Sequence, residues 1–450
     1  MKYTTQDTAL SKKLFGDDFI WGVATAALQV EGSCDADGKG RSIWDVFSGK
    51  KGVIKNGDKP TDACDFYKRY QEDIDIVKEL NIPNFRFSIS WTRILPDGVG
   101  RINQAGIDHY NKVIDYCLQQ GVEPWITLYH WDLPQVLEDK GGWTNREIIT
   151  WFTEFVTVCA NNFGDRVKNW MILNEPSVFV GTGYFFGVHA PGRTGIKNFL
   201  PAVHHAVLCM GAGGRTLRSI LPDAQIGTTF SCSYIEPKNN RPWNVRAAKR
   251  VNALLNRLYV EPILGLGYPV DDLPIVKQLE KYAQPEDAAN MAFDFDYIGV
   301  QLYTREIVRH SFLTPYIHAS IIQAKDRNVP LTEMGWEVYP QSIYGIIKQF
   351  SQYNIKKLYL TENGVAFKDE IKDGKVDDPQ RIEFFKSYLS EVLRAKNEGY
   401  KVDGYFVWTL TDNFEWAEGY HARFGLVYVD HQTQQRIIKA SGRWYADLIK

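Results

Sequence analysis

The sequence lacks the features that would place it in a membrane or on a nucleic acid. Its 450 residues contain no run of about 18 apolar residues, which excludes a membrane-spanning helix. Met1 to Phe15 is polar and has no apolar segment, so we expect no signal peptide and a cytoplasmic location. Lysine and arginine total 52 against 54 acidic residues, and this balance favours neither nucleic acid nor an anionic membrane as a partner.

Cysteine and histidine are also scarce, and their spacing indicates no metal site. The six cysteines form no CxxC pair and no other metal-ligand spacing, so we predict buried free thiols in a reduced compartment. His204 and His205 are adjacent on a predicted helix, and adjacent helical residues do not face one site. We therefore expect neither a metal nor an organic cofactor.

Aromatic residues, by contrast, are plentiful at 14% of the chain, with 13 Trp, 24 Tyr and 24 Phe. Composition alone favours the interpretation that these rings fill a large core. The same rings would also suit a site that stacks against sugars, because the C–H faces of a pyranose are apolar.

Short apolar runs alternate with amphipathic stretches along the whole chain. Runs that are apolar throughout are typical of strands buried on both faces of a parallel sheet. The eight runs are Phe19–Ala24, Phe85–Ile89, Pro124–Leu128, Trp170–Leu173, Ile226–Phe230, Tyr297–Leu302, Leu358–Leu360 and Tyr405–Thr409. Eight alternating units predict one α/β domain over residues 1–450, a closed (β/α)8 TIM barrel. An open doubly wound sheet is the alternative, but no GxGxxG follows the first strand.

Two of the intervening helices show their period clearly. Apolar residues at helical spacing predict one buried face on each. These faces are Ile107, Tyr110, Ile114, Cys117 and Leu118 on the first, and Ile382, Phe385, Leu389, Val392 and Leu393 on the second. The second helix is predicted to begin at Asp378-Pro379, with aspartate as the capping residue and proline in the first turn.

Two predicted strands end in a carboxylate beside an amide. Strand 4 runs into Asn174-Glu175-Pro176, and strand 7 runs into Thr361-Glu362-Asn363-Gly364. A lone glutamate at a strand end is usually a helix cap or part of a surface ion pair. Two at the carboxyl ends of strands across one barrel mouth can instead converge on a single substrate. One protonated and one ionised carboxylate are what cleavage of a glycosidic bond with retention requires.

Further motifs occur in a characteristic order from Phe19 to Tyr445. They are Phe19-Ile20-Trp21-Gly22, Gln29-Val30-Glu31-Gly32, Arg86-Phe87-Ser88-Ile89-Ser90-Trp91, His130-Trp131-Asp132-Leu133-Pro134, His189-Ala190-Pro191-Gly192, and Trp408-Thr409-Leu410-Thr411-Asp412-Asn413-Phe414-Glu415-Trp416. With the two strand-end motifs, the chain resembles glycoside hydrolase family 1, the β-glucosidase family.

The resemblance implies a role for each matching residue. Glu175 would be the general acid/base and Glu362 the nucleophile, with Arg86 and Tyr303 contacting Glu362. Asn174 would bind the sugar 2-hydroxyl. The remaining pocket for the non-reducing sugar would consist of Gln29, His130, Trp408, Glu415 and Trp416. Taken alone, His130 would be interpreted as a core histidine, and Arg86 as part of a core ion pair.

The implied substrate is a terminal, non-reducing β-D-glucosyl residue of a glucoside or oligosaccharide. A 6-phospho-β-glycosidase is the alternative within the class, but Glu415 would repel a phosphate and Ala422 replaces that subfamily's lysine. A transglycosylase would use the same covalent intermediate. A sugar-binding protein on an inactive barrel would lack one of the two carboxylates. Nothing in the residues predicts an oligomeric state.

The chain departs from the family pattern at four places. Ala27-Leu28 precedes Gln29 where an aromatic residue is common, and Gln301-Leu302-Tyr303 replaces Asn-Tyr-Tyr. Ser231 replaces a frequent asparagine, and Arg257 lies where Trp-Phe is more usual. These positions are expected to shape the leaving-group side of the site and the support of Glu362. We therefore expect an altered leaving-group preference.

Overall fold

The computed structural model describes residues 10–450, within which eight parallel strands form a closed barrel. Each strand pairs with its neighbour along the chain, and the eighth pairs with the first. The strands are β1 (Ile20–Ala24), β2 (Asn84–Ser88), β3 (Glu123–Tyr129), β4 (Asn169–Asn174), β5 (Gln225–Pro237), β6 (Tyr297–His310), β7 (Leu358–Asn363) and β8 (Gly404–Trp408). The predicted TIM barrel is confirmed.

Within residues 10–450 one long helix follows each strand. The helices are α1 (Phe66–Glu79), α2 (Gln104–Gln119), α3 (Ile148–Phe163), α4 (Ile196–Ile220), α5 (Pro242–Asn252), α6 (Gln341–Phe350), α7 (Pro379–Asn397) and α8 (Ala440–Leu448). None of the helices in the described part of the chain is long and apolar enough to cross a membrane.

Shorter elements fill the connections. The short α-helices are Lys12–Phe15, Ala27–Val30, Ile43–Phe47, Trp91–Ile94, Gln135–Glu138, Pro176–Val180, Val260–Ile263 and Asp287–Met291. The 3-10 helices are Lys55–Gly57, Gly142–Thr144, Pro274–Lys281, Ala324–Asp326 and Trp416–Glu418, and the π-helical segments are Gly181–Phe185 and Ala253–Arg257. The additional strands are Ala319–Ile322, Ile371–Lys372, Lys375–Val376, Val427–Val429 and Arg436–Ile438.

The eight predicted strands are all present, but β5 and β6 extend well beyond their predicted ends. Past the barrel they continue to pair with each other, from Tyr234↔Arg305 to Pro237↔Val308. The end of β6 also pairs with the antiparallel strand Ala319–Ile322. These extensions are more polar than the barrel segments because only one side of them is covered.

Two details of the helix predictions are wrong. Leu118 is 38% exposed, because it lies one residue, or about 100°, past the buried Cys117. On α7 the buried face includes Phe384 and Tyr388, whereas Ile382 and Leu393 lie half-buried at its edges. Phe384 and Tyr388 stack with ring centroids 4.0 Å apart. Because both rings are buried, the helix face that meets the barrel is rotated relative to the predicted one.

Asp378 and Pro379 begin α7 as predicted, but the Asp378 side chain does not cap it. The carboxylate instead accepts hydrogen bonds from the backbone N–H and the hydroxyl of Ser441, at 2.7 and 2.6 Å, and pairs with Arg381. Asp378 therefore connects the start of α7 to the first turn of α8.

A layer of large side chains closes the amino-terminal end of the barrel. Trp125 packs against Phe406, Tyr359 and Tyr297 with ring centroids 5.0, 5.3 and 5.6 Å away, and Met171 completes the layer. Since this end is filled, an open cavity can form only at the carboxyl ends of the strands. The six cysteines are free, and all except the half-buried Cys34 are buried.

Candidate active site

A cavity of about 360 Å³, here named the mouth pocket, opens at the carboxyl ends of the barrel strands. It brings together seven of the predicted site residues on its wall: His130, Glu175, Tyr303, Glu362, Trp408, Glu415 and Trp416. The other three, Gln29, Arg86 and Asn174, lie directly behind the wall and hydrogen-bond to residues on it. All ten therefore belong to one cluster.

Irregular pairing occurs just before each of the two glutamates. In β4, three steps from Met171 to Asn174 match two steps, Gly227 to Thr229, in β5. In β7, two steps from Leu360 to Glu362 match the single step from Val300 to Gln301 in β6. Each mismatch is a bulge that places one extra residue in the strand and re-aims the side chains that follow.

Glu175 follows β4 in the left-handed conformation, with φ 47° and ψ 63°, at the start of the short helix Pro176–Val180. Its backbone N–H donates to the Thr229 carbonyl at 3.0 Å, which holds this turn against β5. Its carboxyl group is buried, and Oε1 has no hydrogen-bond partner. Burial, and after it the negative charge of Glu362, raises the pKa of Glu175 well above its usual range.

Glu362 has opposite surroundings although it is equally buried. Arg86 Nη1 lies 2.5 Å from Oε1, and the Tyr303 hydroxyl donates to Oε2 at 2.7 Å. Burial raises the pKa of Glu362, but the Arg86 charge and the hydrogen bonds from Tyr303 and Arg86 oppose this rise, whereas the pKa of Glu175 is raised well above its usual range. Of the two carboxyl groups, Glu175 therefore holds the proton and Glu362 carries the charge.

Asn174 is held from both ends of its amide. Its Oδ1 accepts from Arg86 Nη2 at 2.5 Å and from Gln301 Nε2 at 2.8 Å, and its Nδ2 donates to His130 Nε2 at 2.9 Å. His130 is therefore protonated on Nδ1, and burial followed by the nearby Arg86 lowers its pKa well below 6.5. Its Nδ1–H is buried without a partner and can donate to a ligand.

Gln29 and Glu415 form a second polar group on the wall. Gln29 Nε2 donates to Asn413, to the Phe414 carbonyl and to Glu415 Oε2, at 3.1, 3.0 and 3.3 Å. Burial, then the charge of Glu362, raises the pKa of Glu415 to about 8. This carboxyl group can accept a hydrogen bond from a hydroxyl and, in its protonated form, can also donate one.

Aromatic rings complete the wall. The His130 ring stacks with both Trp408 and Trp416, with a centroid distance of 5.9 Å to each and interplanar angles of 27° and 23°. Trp131 packs against Trp416 at 4.4 Å and donates its indole N–H to the Asn174 carbonyl. The indoles give the pocket apolar faces between its polar groups.

Several contributors are absent from the predicted site residues. Trp131 lies within the His130–Pro134 motif, and Gln301 is one of the departures from the family pattern. Their motif positions could have indicated both. Trp336 and Met334 also line the mouth pocket, but they lie in the long segment after β6, which carries no recognisable motif. Only the path of the chain brings them to the site.

The site is built for a ligand with many hydroxyl groups. Five of its buried polar atoms have no partner: Gln29 Oε1, His130 Nδ1, Glu175 Oε1, His189 Nδ1 and Gln301 Oε1. Buried polar atoms are normally paired, so a bound ligand that both donates and accepts would satisfy them. Among residues 10–450, no group of three or more histidine, cysteine or acidic side chains is arranged to hold a metal ion.

The chain is similar to known proteins in both sequence and fold. The family model described as glycosyl hydrolase family 1 matches residues 11–450. Beta-glucosidase A of Thermotoga maritima is 44% identical, over 98% of this chain and 99% of its own. The 1,4-beta-D-glucan glucohydrolase of Thermotoga neapolitana is 44% identical, over 97% and 98%. The solved Thermotoga maritima family 1 b-glucosidase superposes with a TM-score of 0.93, covering 96% of this chain and 98% of that one. The same enzyme in complex with deoxynojirimycin has a TM-score of 0.93 with the same coverage.

Proposed function

This chain belongs to glycosyl hydrolase family 1, and we propose that it is a retaining β-glucosidase that releases terminal, non-reducing β-D-glucosyl residues. The observation that carries the proposal is the pair Glu175 and Glu362, two buried carboxyl groups on one pocket wall with opposite electrostatic surroundings. Relatives named as β-glucosidases at 44% identity support the choice of sugar.

In the first step Glu362 attacks the anomeric carbon while Glu175 donates its proton to the departing oxygen. Arg86 and Tyr303 keep the attacking oxygen ionised, and the raised pKa of Glu175 keeps the donor protonated at neutral pH. The bond from the anomeric carbon to the leaving oxygen breaks as the bond to Glu362 forms. The product is an alcohol and a covalent glucosyl-enzyme.

In the second step Glu175, now ionised, accepts a proton from water as the water attacks the same carbon, the bond from that carbon to Glu362 breaks, and glucose is released. Formation of the ester to the anomeric carbon removes the negative charge from Glu362, so the largest Coulombic cause of the raised Glu175 pKa disappears. The pKa of Glu175 therefore falls after the first step. Glu175 stays ionised once it has given up its proton and can act as the base in the second step. Two displacements at one carbon give net retention.

Asn174 supports both displacements through the sugar 2-hydroxyl. Arg86 and His130 orient its amide, and a 2-hydroxyl bond strengthens as positive charge develops on the sugar ring. Gln29, Glu415 and His130 would bind the hydroxyls farther from the anomeric carbon, and Trp408 would provide the stacking surface.

A plain glucoside should be strongly preferred to its 6-phosphate. None of the described residues lining the mouth pocket is a lysine or arginine, and Ala422 is buried close to this wall. A phosphate dianion in the mouth pocket would lie beside the carboxyl groups of Glu415 and Glu362 with no cationic side chain among the described wall residues to neutralise it, so its binding would be unfavourable. We expect kcat/KM for an aryl β-D-glucoside to exceed that for its 6-phosphate on the order of 10³-fold.

Steady-state kinetics with the two p-nitrophenyl substrates measure this ratio directly. The matched variant Glu415→Ser should lower kcat/KM for the plain glucoside. It should also reduce the ratio of kcat/KM for the plain glucoside to that for the 6-phosphate. Comparable rates on both substrates with the unmodified protein would contradict an unphosphorylated substrate.

Replacing Tyr303 with phenylalanine should shift the acidic limb of the pH profile to higher pH. The phenol hydrogen bond stabilises ionised Glu362, so its loss raises the pKa of that carboxyl group and delays ionisation as pH increases. We also expect kcat/KM at neutral pH to fall about tenfold. The kcat/KM profile between pH 4 and 9 provides both measurements.

Tyr297→Phe is the matched control. It also removes a buried phenol hydrogen bond, to the Trp170 carbonyl at 2.7 Å, but at the closed end of the barrel. Its acidic limb should stay in place. An equal shift in both variants would show that a general loss of stability, and not support of Glu362, is the cause.

A further inference from the structure

A second and larger cavity, of about 490 Å³, adjoins the mouth pocket on its Glu175 side. We name it the side chamber. Val178, Thr182, Ser231 and Ser233 line both cavities, so the two are contiguous. The Ser231 hydroxyl lies beside the Glu175 carboxyl and lowers its pKa. The side chamber therefore begins next to the proton donor.

Apart from Ser231 and Ser233 on β5, the walls of the side chamber come from elements outside the barrel strands. The π-helical segments Gly181–Phe185 and Ala253–Arg257 form part of it, together with the start of α4 and residues 314–317. Most of its lining is apolar, and the side chains that contribute include Phe185, Phe199, Leu254, Leu255, Leu258 and Ile275. Phe186 and Tyr316, 65% and 43% exposed, lie where it meets solvent.

The polar side chains that line the side chamber all carry hydroxyls; they are Ser177, Thr182, Ser231, Ser233, Tyr259, Thr314 and Tyr316. None of the described lining residues carries a charge or a carboxamide. Thr182 already donates its hydroxyl to the Val178 carbonyl at 2.6 Å. Tyr259 is the only one of these described residues with a buried polar side-chain atom that has no partner.

A second glucose would fit these walls poorly. Each of its hydroxyls that is buried without a partner weakens binding about 5- to 150-fold. The mouth pocket meets the same demand with His130, Gln29 and several carboxyl groups, and the side chamber has no equivalent. An alkyl or alicyclic group would instead gain affinity from every carbon it removes from water.

We propose that the side chamber binds an apolar leaving group, and that the preferred substrates are β-D-glucosides of apolar alcohols, not cello-oligosaccharides. The proposal rests on the proposed function, because the leaving oxygen must lie against Glu175. It departs from relatives named as glucan glucohydrolases. Two of the departures from the family pattern, Ser231 and Arg257, lie on or beside these walls. Ser231 lines the chamber, and the segment Ala253–Arg257 contributes to it. The expected change of leaving-group preference would therefore arise in the side chamber.

The test is a series of methyl, butyl and hexyl β-D-glucosides, with cellobiose as the polar comparison. The three alcohols have nearly equal acidity, so the chemical step is held constant while the apolar surface grows. We expect kcat/KM to rise about twofold or more for each methylene, on the order of thirtyfold from methyl to hexyl. Hexyl glucoside should also exceed cellobiose.

Leu254 provides a matched pair of variants, since it is half-buried on the chamber wall and is not part of the mouth pocket. Leu254→Asn places a carboxamide in the chamber at similar volume and should reduce the hexyl-to-methyl ratio about fivefold. Leu254→Met keeps the wall apolar and should retain the ratio. Should Leu254→Asn fail to fold, Phe199→Gln on α4 makes the same change on another wall.

The outcomes separate this proposal from the proposed function. Equal kcat/KM along the alkyl series, or cellobiose preferred to hexyl glucoside, would overturn the apolar chamber while leaving the β-glucosidase intact. A hexyl-to-methyl ratio of kcat/KM that is unchanged in both Leu254→Asn and Phe199→Gln would also overturn the apolar chamber. No hydrolysis of any glucoside, methyl glucoside included, would instead overturn the proposed function.

Discussion

Glu362→Gln should lower kcat for p-nitrophenyl β-D-glucoside by a factor on the order of 10⁴ or more. The amide keeps the shape of the side chain but cannot form the ester to the anomeric carbon. Arg86 would also lose its charged partner at 2.5 Å, so the guanidinium would remain buried without compensation. Initial rates, with mass spectrometry to confirm the amide, measure the loss.

A trapping experiment identifies the same residue by a different observable. A 2-fluoro glucoside with an activated leaving group should attach one sugar to the protein, and peptide mapping should locate it on Glu362. Glu306→Gln serves as control because Glu306 lines the mouth pocket but has no part in either displacement. It should change kcat less than tenfold. Label on another side chain would assign the nucleophile elsewhere.

Glu175→Ala should have an effect that depends on the leaving group. For an alkyl glucoside, loss of the proton donor should lower kcat/KM about 10²- to 10⁴-fold. For 2,4-dinitrophenyl β-D-glucoside the first step needs little acid, so kcat/KM should fall far less. The covalent intermediate should then accumulate, because no base activates water, and a burst of released phenol should be measurable by stopped flow.

Azide separates loss of acid/base function from loss of structure. As a small anion that needs no general base, it should fit the space left by the side chain and restore turnover, with β-glucosyl azide as the product. Glu175→Gln is the matched variant that leaves no such space and should not be rescued. An equal loss on both substrates, without rescue, would contradict the role of Glu175.

The pH profile provides a third observable for Glu175. The active enzyme has this carboxyl group protonated, so activity should fall as pH rises through its raised pKa. Removal of the group in Glu175→Ala should flatten the basic limb on the activated substrate. The acidic limb, set by ionisation of Glu362, should remain.

Local sequence patterns were sufficient for the fold, and the family resemblance named ten residues that the structure brings into one cluster. Apolar runs with a turn signal after each predict buried strands wherever both faces are covered, and the motif positions place Glu175 and Glu362 at strand ends. The predictions were wrong at the ends of two strands and at the edge of one helix face. β5 and β6 continue past the barrel, and Leu118 is exposed, because burial there depends on what packs alongside.

The geometry of the site belongs to the tertiary structure. Pairing of β4 with β5 and of β7 with β6 produces the bulges before Glu175 and Glu362, and no local pattern in a single strand encodes them. The proton on His130 Nδ1 follows from Arg86 and Gln301 turning the Asn174 amide. The side chamber is enclosed by segments more than 130 residues apart, Ser177 to Ile317, whose apolar character looks like ordinary core until they meet. The sequence alone predicts the barrel and its chemistry, because strand patterns and motifs depend only on residues close together along the chain. Proton positions and leaving-group preference depend on contacts between distant segments.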